Sequence, residues 1–207
     1  MELMEVIVPA GSNANAQLPD PYMLNYYEHA QERIIWLDKE VEGDGIEIAK
    51  KIMYWNMEDD DKNLPVEERR PIRLMIVSPG GDIYTMLAIM DTIMMSKTPV
   101  YTCAVSLAAS AACVILIAGH KRFAFPHAHG MWHSGSAGIS GSMEQVQSAT
   151  RHLDGIEDQM AEFFLSRTNV SSRTLKKYKD KDWYMTSKEM LNNGLIDQIV
   201  TSIDEIL

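Results

Sequence analysis

"IRLMIVSPGGDIYTMLAIMDTIMM", residues 72–95, joins two periodicities through a glycine pair. Its first part, Ile72 to Val77, is an almost unbroken apolar run, the pattern of a buried strand. Beyond the glycines, Ile83, Met86, Leu87, Met90, Ile93 and Met94 recur at helical spacing and mark one apolar face. The same alternation continues in both directions. Upstream, "RIIWL" (33–37) reads as a short buried strand, and Ile48, Ala49, Ile52 and Trp55 as the face of a following helix. Downstream, "VYTCAV" (100–105) is a third strand and the apolar run from Ser110 to Ala118 a third helix. Apolar strands alternating with helices predict an α/β domain with a mostly parallel sheet covered on both faces.

After residue 120 the pattern changes. "KRFAF" and "HGMWH" read as short strands, and "SGSAGISGS" (134–142) as a flexible stretch. A long amphipathic helix follows from about Met143 to Ser166, with Ala149, Leu153, Ile156, Met160 and Phe163 as its stripe. Thr186 and Glu189 have capping-box spacing. "MEDDDKNLPVEERRP" (57–71) reads as a solvated charged loop. Residues 1–22, with Gly, Ser, Asn and Pro and little periodicity, read as a tail, leaving 23–207 as one domain.

At 207 residues with 46% hydrophobic and 23% charged side chains, the chain has the composition of a globular domain. A net charge of −10 argues against nucleic acid or an anionic membrane as partner. Cys103 and Cys113, both within apolar runs, read as reduced packing residues. The N-terminus has acids where a secretory signal carries positive charge, and no apolar stretch reaches membrane-spanning length. The expected location is the cytoplasm.

Two strand-to-helix turns carry the chemistry. In "VSPGGD" the glycines permit a sharp turn that leaves the Gly81 amide facing outward. In "AASAA" (108–112) the Ala111 amide opens a helix and has no intrahelical partner. Two such amides aimed at one point form an oxyanion hole, and Ser110 places a hydroxyl beside it. From the serine alone, a helix cap is the simpler reading. A nucleophilic serine needs a base. Of the six histidines, His29, His120 and His152 read as solvated. His127, His129 and His133 share one face of an extended strand, a spacing open to zinc but lacking a nearby acidic ligand. One base on that strand is the simpler use, and metal is not expected.

Five blocks in order and at similar spacing then identify a resemblance: "ERIIWL", "SPGGDIYTMLAIMDTI", "AASAA", "AGHKRFAFPHAHGMWH" and "DKDWYMTSKEMLNNGLID". They resemble the proteolytic subunit of the Clp protease, the ClpP family of serine peptidases, over most of the chain. The resemblance implies the ClpP/crotonase-like fold of repeated β-β-α units, with a protruding handle at about 134–168. By position it implies Ser110 as nucleophile, His133 as general base and acid, and Asp182 as the orienting carboxylate, with Gly81 and Ala111 supplying the oxyanion amides. Spacing alone does not single out Asp182 over Asp180 or Asp197. It further implies hydrolysis of unfolded proteins and peptides inside a chamber of heptameric rings stacked into a tetradecamer. No cofactor is implied, ATP being used only by a separate AAA+ unfoldase.

The chain departs from the family pattern in places. Ser134 and Gly135 follow the histidine where the family has Gln-Pro, and Ala111 stands where it has Met. Lys181 replaces an arginine that pairs across rings, and lysine lacks the bidentate fork. Two alternatives therefore stay open from the sequence. One is a non-catalytic ring subunit; the other is a crotonase-like enzyme holding an acyl-CoA enolate with the same paired amides.

Overall fold

The computed structural model describes residues 21–136 and 138–207. The expected tail therefore lies outside the described residues except at Pro21 and Tyr22, which open helix α1 (Pro21–Gln31). That helix belongs to a first unit ending at Glu32, and Arg33–Leu207 form a second.

In the second unit the chain runs β1 (Ile34–Leu37), α2 (Ile46–Asp61), β2 (Ile72–Ser78), α3 (Ile83–Met95), β3 (Val100–Ala109), α4 (Ala111–Ala118), β4 (Lys121–Ala124) and β5 (His129–Trp132). Then come α5 (Met143–Arg167), α6 (Ser172–Lys177), β6 (Trp183–Thr186), α7 (Ser187–Asn192) and β7 (Gln198–Ile199). Strands β1-β2-β3-β4-β7 are neighbours in one sheet, all paired in parallel. Among the described strands, β6 alone runs antiparallel, against β5. The mostly parallel α/β sheet demanded by the strand–helix alternation is the observed one.

Strand β3 runs on to Ala109, past the Val105 at which the sequence reading ends it. It needs the length because it has two successive partners, β4 along 101–104 and β5 along 107–109. Between them its register with β2 slips, from Ile76↔Ala104 to Ser78↔Ala108. Such irregularities bend a strand and re-aim the residues beyond them. Here the bend brings the end of β3 beside the turn that leaves β2.

Both faces of the sheet are covered, unequally. Helices α2 to α5 bury Ile52, Trp55, Ile89, Ile93, Ile156 and Phe164 in one cluster with β2 residues Ile72, Leu74 and Ile76. Helix α4 is buried along its whole length, as an all-round apolar helix must be. On the other face Met75, Cys103 and Phe123 form a smaller cluster with Val200 and Ile206. In α5 the buried stripe is Ile156, Met160 and Phe164, with Phe163 only partly buried. The Phe164 ring lies 4.1 Å from that of Trp132, centroid to centroid.

The 57–71 segment differs from the expectation of a solvated loop. Helix α2 continues to Asp61, and Asp59 is fully buried. Arg33 grips it with two bonds, of 2.8 and 2.6 Å, and the Thr98 hydroxyl donates a third at 2.7 Å. The guanidinium holds the Asp59 carboxyl below its ordinary value, against the opposing effect of burial. Arg69 is also buried, donating to the Leu64 carbonyl and to Asp60. Charge density alone misleads at Asp59 and Arg69, which are buried and paired, whereas Asp60, Asp61, Lys62, Glu67, Glu68 and Arg70 are exposed as expected.

Candidate active site

Strand β2 ends in Ser78, and the turn after it approaches two other chain segments so closely that side chains are excluded. At Gly80 (φ 97°) a Cβ would lie 2.6 Å from the Ala109 carbonyl oxygen, 2.7 Å from Ser110 Cβ and 2.9 Å from the Ala111 nitrogen. At Gly81 (φ 149°) it would lie 2.3 Å from the Val41 carbonyl oxygen. Val41 pairs here through its own amide, which donates to Gly80, and through its carbonyl, which accepts from Asp82. That pairing does not use the Gly81 N–H. Asp82 then caps α3, its carboxylate accepting the Thr85 amide at 2.7 Å.

Ser110 joins β3 to α4 with φ 55° and ψ −123°, a conformation that a residue with a side chain seldom adopts. Its amide donates to the Met131 carbonyl on β5 at 2.8 Å. Although it stands at the N-cap of α4, its side chain caps nothing. The hydroxyl lies instead 2.8 Å from His133 Nε2. This is the arrangement of a serine held on a sharp strand-to-helix turn so that Oγ projects.

His133 follows the last residue of β5. Because β5 and β6 are antiparallel with Trp132 opposite Trp183, the next facing pair is His133 and Asp182. Their side chains meet: His133 Nδ1 is 3.3 Å from an Asp182 carboxylate oxygen. The imidazole side chain is 24% exposed and the carboxylate 55%. Ser110, His133 and Asp182 thus form one chain of contacts. Gly81 and Ala111 line the same cleft, of about 750 Å³, as Ser110 and His133. Its walls include Met86, Val114, Trp132 and Leu153, together with the charged Glu157 and Lys176.

The other sequence candidates lie elsewhere. His127 and His129 are exposed, and among the described residues no three His, Cys, Asp or Glu side chains converge as metal ligands. His120 accepts the Val100 amide, and His152 pairs with the Tyr84 hydroxyl at 3.1 Å. Burial pushes the thiols of Cys103 and Cys113 up to about 12, so neither supplies a thiolate. Sequence reasoning missed Gly80, whose close approach to the serine turn depends on the β2–β3 register. It also lacked the β5–β6 register, the one signal that distinguishes Asp182 from Asp180. No described helix is long and apolar enough to cross a membrane.

A family model described as Clp protease matches residues 21–203. The chain is 32% identical over 182 residues to the ATP-dependent Clp protease proteolytic subunit of Deinococcus radiodurans, covering 87% of this chain and 86% of that protein. It is 34% identical over 179 residues to the ATP-dependent Clp protease proteolytic subunit 2 of Prochlorococcus marinus, covering 84% of each. A match of this extent, over the whole sheet and every segment that builds the cleft, makes the chain a member of the Clp protease family of serine endopeptidases.

Proposed function

We propose that the chain is the proteolytic subunit of an ATP-dependent protease and hydrolyses peptide bonds of unfolded chains through an acyl-enzyme on Ser110. The observation that carries this reading is the Ser110 hydroxyl, turned away from helix capping and bonded to His133 at 2.8 Å. In the first half-reaction His133 Nε2 takes the serine proton as Oγ adds to the substrate carbonyl carbon. The proton then goes to the departing amine nitrogen. In the second, a water gives a proton to His133 Nε2 as its oxygen adds to the ester carbon; the C–Oγ bond then breaks, Ser110 Oγ takes that proton back, and the acid leaves. Asp182 fixes the tautomer with Nδ1 protonated and stabilises the imidazolium. The amides of Gly81 and Ala111 receive the oxyanion, in a hole that needs no metal or organic cofactor.

Assembly and partners follow the family. Chains form heptameric rings stacked into a tetradecamer, the 134–168 handle joining the rings, and a separate AAA+ unfoldase consumes the ATP. The reduced, buried thiols suit the cytoplasm. The test is hydrolysis of a short unstructured peptide by the full chain, measured beside particle mass. Activity from the homo-oligomer, lost by several orders of magnitude in Ser110→Ala to a residue of about 10³–10⁴ over water, is expected. An assembled but inactive wild type would mean a non-catalytic ring subunit.

A further inference from the structure

Asp182 is weakly held for a residue asked to orient an imidazole. Its carboxylate is more than half exposed, and its 3.3 Å contact with His133 is longer than a charge-assisted bond of about 2.8 Å. Among the described residues it has no second hydrogen-bond or ion-pair partner. Its position is therefore set by the backbone of the turn that carries it, between α6 and β6. Within that turn the local bonds are long, 3.4 Å from the Lys179 amide to Lys176 and 3.2 Å from the Lys181 amide to Tyr178. One short bond crosses to the histidine strand: the Ser134 hydroxyl donates to the Lys179 carbonyl at 2.6 Å. Tyr178 and Trp183 bracket the turn with stacked rings 4.3 Å apart, which fixes its ends and not its middle.

We infer that Ser134 is a positioning residue, its hydroxyl tying the Lys179 turn to the strand of His133 so that Asp182 stays against Nδ1. The inference rests on the triad reading above. Ser134 touches neither reacting atom in this role; it acts through Asp182. Removing its hydroxyl lets the turn drift outward, and His133 loses its partner for part of the time.

The test uses the full-length chain and the rate at which a small fluorophosphonate modifies Ser110, which does not depend on binding an extended peptide. Ser134→Ala is expected to slow modification by about three- to tenfold, the range of one hydrogen bond. Ser134→Thr, which keeps the hydroxyl, is expected to restore the rate. In an Asp182→Asn background, Ser134→Ala is expected to cost nothing further, because the residue it positions is already disabled. A wild-type rate in Ser134→Ala, no rescue by threonine, or the same fractional loss in both backgrounds overturns the inference while leaving the triad intact. A wild-type chain that does not react at all overturns the triad reading itself.

Discussion

Ser110 occupies a backbone conformation that costs on the order of 1–3 kcal/mol for a residue with a Cβ. The Met131 carbonyl and the close pack of Gly80 hold it there. Ser110→Gly relieves the strain, so it is expected to raise stability by about 1 kcal/mol in urea unfolding while removing activity. A variant less stable than wild type would show that the turn is not strained. Gly80→Ala drives a methyl group into the Ala109 carbonyl and the Ala111 amide. It is expected to reduce kcat/KM at least a hundredfold, because a shift of about 1 Å at the reacting groups has that effect. Near-normal kinetics would place the oxyanion amides elsewhere.

Among the elements, α2 and α5 behave unlike their sequences suggest. Asp59 continues the buried positions of α2, four residues after Trp55, so the helical period did contain the signal. What could not be read was its partner: Arg33 lies before β1 and reaches Asp59 only through the fold. Asp59→Ala leaves the buried Arg33 guanidinium with only Glu58, at 3.1 Å, and the Arg70 carbonyl, and is expected to cost about 3 kcal/mol, the lower end for breaking a buried pair, measured by denaturant unfolding. The pH dependence has a definite sign. The Asp59 carboxyl titrates below its ordinary value of 3.8 when folded, so the unfolded chain binds protons first as pH falls. The stabilisation is full above that ordinary value and is lost as pH falls through the lower, folded one; Asp59→Asn removes this part of the acid sensitivity. Helix α5 divides at Ile156, before which no residue is buried. Phe164→Ala is therefore expected to cost about 3–5 kcal/mol, whereas an exposed position outside that helix, such as Glu67, tolerates alanine within about 0.5 kcal/mol.

For the whole molecule, the mostly parallel sheet was legible because buried strands and amphipathic helices leave different periods in a sequence, as in residues 72–95. The places of the two strand-to-helix turns, before α3 and at Ser110, were legible for the same reason. Asp182 was not, since its pairing with His133 depends on a strand register spanning fifty residues of chain. A net charge of −10 on each chain also bears on assembly. Like-charged subunits repel at low salt, and at 0.15 M the screening length is about 8 Å. Light scattering is expected to show a larger assembled fraction at that salt than at 0.01 M. The opposite trend would mean that ion pairs hold the proposed rings together.

The proposed hydrolysis requires a serine made nucleophilic by His133. The most direct measurement treats the assembled full-length chain with a fluorophosphonate and locates the adduct by mass spectrometry. A single adduct is expected, on Ser110, absent from Ser110→Ala and strongly diminished in His133→Ala. An unmodified wild type, or an adduct on another residue that persists in Ser110→Ala, would contradict it.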